Sequence, residues 1–191
     1  MPAARPQRAD ALRNRRRILD AASEQITANG PDVGMDEIAT AAGVAVGTLY
    51  RHFPTKADLL SAVIAVDIAQ IADDAEASLA RTEGGARPVD EVVGFLHRVA
   101  DATAHSHAVK AAAAGLGVPG HGDQTDEARA AAAVGALLAA AQRDGDVRPH
   151  IGVEDIYLLM TTAPSEHPEQ IPRWLDLIVP GITTDGARDR K

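Results

Sequence analysis

The residues that could do chemistry in this chain are few, and most are poorly spaced for it. His97, His105 and His107 crowd most closely. In a helix, positions two apart face different ways, so His105 and His107 are badly set to share an ion. His97 lies two turns from His105, and these histidines are expected to be partly exposed or to line a pocket rather than to bind metal. Asp73, Asp74 and Glu76 offer adjacent carboxylates but read as a solvated helix face. Gly115-Leu116-Gly117 lacks the preceding strand that a dinucleotide loop needs. The chain has no cysteine, which excludes thiol catalysis, cysteine zinc sites, iron–sulfur clusters and disulfides. No catalytic residue, metal or cofactor is expected. What remains is a set of hydrogen-bond donors, Thr48, Tyr50, Arg51 and His52, following an amino-terminal stretch that carries Arg5, Arg8, Arg13, Arg15, Arg16 and Arg17. Such a set suits a polyanion, with cations for phosphate oxygens and polar groups for base edges.

The elements that must position these groups read as short helices. Ile18, Ala21, Ala22 and Ile26 recur at helical spacing between Arg13 and Asn29, and Asn29-Gly30-Pro31 supplies a stop. A second helix is expected over about 35–42, with Asp36 and Glu37 in its first turn and Gly43 at its end. A third carries residues 48–53; Leu49 and Phe53 face inward and leave Thr48, Tyr50, Arg51 and His52 mostly outward. Thr55 and Asp58 form a capping box for a long fourth helix. Two short helices joined by a tight glycine-containing turn make a helix-turn-helix, whose second helix fits the major groove.

Composition agrees with helices throughout. Alanine occurs 39 times and aromatic residues make up only 3 % of the 191, a balance that favours helices over strands. No apolar run reaches the roughly 18 residues that span a bilayer, and the start lacks the apolar core of a secretory signal, so no membrane association and a cytoplasmic location are expected. Residues 1–58 carry 8 Lys and Arg against 7 Asp and Glu, a net +1, whereas residues 59–191 carry 11 against 20, a net −9. An acidic body repels phosphate, so contact with nucleic acid belongs to the amino-terminal part.

The stretch Met35-Asp36-Glu37-Ile38-Ala39, Ala42-Gly43-Val44, Gly47 through Lys56, and Leu59-Leu60 closely resembles the DNA-binding domain of the TetR family of bacterial repressors. The resemblance covers roughly Ile18 to Leu60. It implies that Tyr50, His52 and Lys56 contact phosphates and that Gly47, Thr48 and Arg51 lie at or near base edges. It also implies that Ala39, Leu49 and Phe53 form the small core of the head. Two positions depart from the family pattern: Ala45 stands where Ser or Thr often caps the recognition helix, and Val46 stands where a polar base-reader is frequent. Val46 can still meet a thymine methyl. Arg5 and Arg8, in an arm before the first helix, either reach a minor groove or add nonspecific attraction; Arg13 to Arg17 are candidates for backbone contact, with solvated surface the equal alternative for Arg16 and Arg17.

The remainder is expected to form helices over about 56–82, 89–105, 107–116, 125–143, 153–162 and 169–180, with a mobile loop at Gly117 to Asp123. The expected fold is all-α, an amino-terminal three-helix helix-turn-helix head over residues 1–55, a larger helical body over 56–182 and a tail over 183–191. In the family such a body binds a small molecule and pairs with a second subunit through its last two helices. The resemblance therefore implies a homodimer that binds a double-stranded DNA operator and a small-molecule effector, acting as a transcriptional regulator, most often a repressor. Phe95, His97, Val99, Thr103 and His107 are the candidates for effector contacts. Ile156, Leu159, Met160, Trp174, Leu177 and Ile178 are the candidates for pairing, and the same spacing would equally serve an intramolecular core. Two rivals stand beside this reading. An enzyme would need a nucleophile–base pair that the chain lacks, and a helical interaction module that has lost DNA binding draws some support from Ala45 and Val46.

Overall fold

The computed structural model of the chain describes residues 4–118 and 124–185, the side chains of residues 4–8 excepted. It is all-α, in the order α1 (Ala4–Asn29), α2 (Met35–Ala41), α3 (Val46–His52), α4 (Lys56–Glu83), α5 (Pro88–Gly115), α6 (Gln124–Arg143), α7 (Val153–Thr161) and α8 (Ile171–Ile182), with a 3₁₀ turn at Pro168–Gln170. The chain divides into two compact units. One comprises Met1–Val66 with Ser106–Gly122; the other comprises Asp67–His105 with Asp123–Lys191.

In the first unit α1 packs on α2 and α3, and α2 packs on α3. Ile18, Ala22, Ile26, Ile38, Ala39, Leu49, Leu59 and Leu60 are buried there, as the helical spacing demands. α1 begins nine positions before the expected Arg13. Arg, Ala, Leu and Gln are good helix formers, so the helix continues upstream without an apolar stripe to announce it. The backbone of the expected arm is therefore helical from Ala4, and the side chains of Arg5 and Arg8 lie outside the described residues. By compactness this unit extends to Val66, past residue 55.

The second unit is built on Val92, Phe95, Leu96, Val99, Val134, Leu137, Leu138, Ile156, Ile171 and Leu175, all buried in one apolar cluster. Its ends are pinned by an isolated antiparallel bridge, Val147 to Thr183, flanked by Arg148 N donating to the Ile182 carbonyl and Thr184 N to that of Asp146. One expectation needs correction. The helices expected at 89–105 and 107–116 are one helix, because His105-Ser106-His107 contains neither Gly nor Pro and polar side chains alone do not break a helix. At the face expected to be solvated, Asp73 and Glu76 are exposed and Asp74 is half-buried, and all three also take part in ion pairs. Arg129 on α6 reaches Asp73 and Glu76 at 2.7 Å each, and Arg98 on α5 reaches Asp74 at 2.9 Å. The loop expected at Gly117 to Asp123 lies largely outside the described residues, as does the tail beyond Asp185.

Candidate nucleic-acid interface

The site is assembled from α2, the turn after it and α3. α2 ends at Ala41 and the chain reverses at Gly43, whose φ of 63° lies in the left-handed region. Gly43 N donates to the Thr40 carbonyl and Val44 N to that of Ala39, both at 3.0 Å, which closes the turn tightly. α3 starts from Ala45, which makes no side-chain cap to the helix; alanine has no oxygen to offer. Leu49 is fully buried and Phe53 nearly so, and these two anchors fix the face of α3 that meets the head.

The opposite face carries the donors. Val46 and Tyr50 are 38 % and 45 % exposed, Gly47 and Arg51 are exposed, and Thr48 and His52 are half-buried. All six fall on one seven-residue helix. Gly47 has nothing within 4 Å of where a Cβ would stand, so its backbone is open to close approach. The arrangement is a ridge of one apolar and several polar groups on a rigid base, which can present hydrogen bonds and a methyl contact to a groove.

Lys56 is placed differently from the rest. It is half-buried in the first turn of α4, and its ammonium donates to the carbonyls of Pro31 at 2.5 Å and Val33 at 2.6 Å. The capping box at this helix start is present as expected: Thr55 N donates to Asp58 Oδ2 at 3.0 Å and Asp58 N to Thr55 Oγ1 at 3.1 Å. Two further cations escaped sequence reasoning as parts of the head. Arg17 Nη2 donates to the Gly43 carbonyl at 3.4 Å, and the Arg15 guanidinium lies 5.2 Å from the Phe53 ring centroid. Nothing in their spacing distinguishes them from Arg13, which pairs with Asp10 one turn away, or from Arg16.

In the body, Phe95 lines an apolar packing gap with Val92, Leu96, Val134, Leu137, Leu138 and Ile156, a gap with no room for a water molecule. Val99 is buried in the same cluster, His97 is exposed, and Thr103 and His107 are half-buried. Phe95 and Val99 are thus brought together in one core; His97 is turned to solvent. Among the pairing candidates, Ile156 is buried in the body's own core, while Leu159, Met160, Trp174 and Ile178 pack partly against it. Leu177 is 63 % exposed, and so are two neighbours missing from the expected set, Tyr157 at 73 % and Leu158 at 61 %. Among the described residues no group of three or more His, Asp or Glu could hold a metal ion, and no helix is long and apolar enough to cross a membrane.

Comparison with known proteins matches both parts of the chain. Residues 18–63 match the model of the tetR family of bacterial regulatory proteins, and residues 87–184 match the C-terminal domain of SbtR-like transcriptional regulators. The crystal structure of a TetR transcription regulatory protein from Mycobacterium vanbaalenii is 37 % identical, covering 94 % of this chain and 100 % of that one at a TM-score of 0.74. The TetR transcriptional regulator SCO0520 from Streptomyces coelicolor is 27 % identical, covering 90 % of this chain and 99 % of that one at 0.68. TtgW, an uncharacterised HTH-type transcriptional regulator of Pseudomonas putida, is 48 % identical over 63 residues, which make up 32 % of this chain and 47 % of that protein. The match thus takes in less than half the length of that curated relative.

Proposed function

Because the chain belongs to the TetR family of bacterial transcriptional regulators, DNA-binding proteins rather than enzymes, we propose that it is a homodimeric repressor released from its operator by a small-molecule effector. One observation carries the DNA-binding part of this reading: the outward face of α3 collects Val46, Gly47, Thr48, Tyr50, Arg51 and His52 above the buried Leu49 and Phe53. Thr48 and Arg51 read base edges, Val46 meets a thymine methyl, and Tyr50 and His52 hold phosphates. Lys56 has one ammonium hydrogen left beyond its two carbonyl partners.

Residues 1–55 serve as the DNA-binding part and 56–182 as the part that takes the effector and pairs; Thr183 and Thr184, expected in a tail over 183–191, are bonded to Val147, Asp146 and Gly145 and go with the second part. Pairing draws on Tyr157, Leu158 and Leu177, whose exposure on α7 and α8 costs free energy in water that a partner would recover, with Trp174, Leu159, Met160 and Ile178 beside them. Two heads then meet half-sites about 34–36 Å apart, one turn of the duplex. The effector site is sought on α5 around His97 and Thr103, and Phe95 and Val99 would join it only where the packed core beside them opens; a coupling of about 1–3 kcal/mol would change DNA affinity about 5–150-fold. Such a regulator works in the cytoplasm, where the operator is.

The test is fluorescence anisotropy of the purified protein on duplexes it enriches from a random-sequence pool, measured at two salt concentrations against scrambled competitor. Tight, salt-sensitive binding that survives competitor is the expected result. A protein that enriches no sequence, or binds scrambled DNA equally well, overturns the reading of α3.

A further inference from the structure

Lys56 is the first residue of α4, yet its side chain reaches back to the connection between α1 and α2. That connection ends at Gly34, which precedes α2 without any side-chain hydrogen bond to the helix. α2 has only seven residues, far fewer than the roughly 12–15 at which an isolated helix becomes even marginal. Its direction is therefore set by packing and by whatever holds its two ends. The Lys56 ammonium holds the segment entering α2, through the carbonyls of Pro31 and Val33. Arg17 holds the segment leaving it, through the Gly43 carbonyl. α3 packs on α2, so an error in the direction of α2 becomes an error in how α3 presents Thr48 and Arg51.

We propose that Lys56 is a positioning residue for the recognition helix: by tying the first turn of α4 to the entrance of α2 it sets sequence discrimination, and it adds little to phosphate neutralisation. An ammonium has three hydrogens, and two are already committed to carbonyls within the head. The energetic effect of losing it falls on the alignment of α3, which matters most where base edges must be met. The inference rests on the DNA-binding reading of α3 given above.

The two roles separate by salt. A lysine that neutralises a phosphate contributes about 0.9 to the slope of log affinity against log salt, and its loss weakens binding equally on all sequences. A positioning lysine leaves the slope and lowers the ratio of specific to nonspecific affinity. The experiment uses the full chain as wild type, Lys56→Met and Lys56→Arg. Anisotropy is read on a duplex enriched by the wild type and on its scrambled counterpart across a salt series. Amide hydrogen exchange of residues 34–43 is measured separately on the DNA-free protein.

For Lys56→Met we expect a slope within about 0.3 of wild type, a specificity ratio lowered about tenfold, the order of one mismatched base pair, and exchange over α2 accelerated about fivefold. Lys56→Arg, which keeps charge and reach, is expected to restore exchange protection. A slope reduced by about 0.9 with the ratio intact overturns the proposal. So does unchanged exchange over α2 in the DNA-free Met variant, whatever the DNA shows. If Lys56→Met does not fold, Lys56→Gln takes its place, with the same outcomes deciding. A wild type that enriches no duplex sinks the reading of α3 instead, and the exchange measurement still judges the tie.

Discussion

Arg51 and Tyr50 are adjacent on α3 and both exposed, but they are asked to do different things. A guanidinium that reads a base edge discriminates between bases, so Arg51→Ala is expected to cost about 1–3 kcal/mol at one base-pair position and to relax preference there. If Tyr50 meets phosphate as proposed, Tyr50→Phe removes only that hydroxyl and should weaken binding by about 0.5–1.5 kcal/mol on specific and scrambled duplexes alike. Titrating both variants against a set of single-position operator mutants checks the pair; equal losses on every sequence for Arg51→Ala would remove it from the base-reading set. Their exposure follows from the sequence, because Leu49 and Phe53 are four apart and must share the buried side. The role of Lys56 does not follow in this way. Its partners are backbone carbonyls 25 and 23 positions earlier, and a carbonyl carries no signature in the side-chain sequence.

At the scale of elements, the turn between α2 and α3 and the clasp between α4 and α6 each make a prediction. Gly43 sits at a φ of 63°, and a Cβ there would stand 2.5 Å from Arg17 Nη2. Arginine can swing away, but the left-handed backbone remains costly, so Gly43→Ala should destabilise the chain by about 1–2 kcal/mol in urea unfolding. The Arg129 guanidinium bonds to the Glu76 carboxylate and holds it below its ordinary value of 4.5, against a smaller opposing contribution from burial. A carboxylate depressed in the folded state contributes stability that is present above 4.5 and is lost as pH falls through the folded value. The wild type should therefore lose stability on acidification below about pH 4.5 more steeply than Arg129→Met, with the two profiles parallel near neutrality. The pair is exposed, so the difference is small, and urea midpoints across that range would detect it. The exposure of these carboxylates is legible in the helix's charge pattern, but their pairing is not, because the arginine opposing Glu76 lies 53 residues away. Ser78 makes the same point: fully buried, it accepts from Arg81 at 3.0 Å and Arg98 at 2.7 Å while donating to the Asp74 carbonyl.

At the scale of the whole molecule, pairing is the open energetic account. Tyr157 and Leu177 are exposed by 73 % and 63 %. If they form the pairing surface, Tyr157→Glu combined with Leu177→Glu should convert a dimer to monomers in sedimentation velocity while leaving helical content unchanged. A double variant that sediments as the wild type would place the contact elsewhere. The segment Ile156 to Met160 holds five consecutive apolar residues, and a helix turning about 100° per residue cannot bury all five in one monomer. That surplus is legible in the sequence; which residues it leaves outside is not, and Ile156 rather than Tyr157 was the natural candidate for the contact. The sequence by itself determined the all-α class, the helix-turn-helix with its anchors Leu49 and Phe53, the capping box at Thr55 and the family, because these depend on periodicity, turn chemistry and short-range spacing. The tertiary structure alone decided that Lys56 and Arg17 grip the two ends of α2, that Arg129 gathers Asp73 and Glu76, and that Ile156 turns inward while Tyr157 and Leu158 turn out. Those outcomes depend on which distant backbone or side chain arrives opposite a residue, and packing, not local pattern, brings it there.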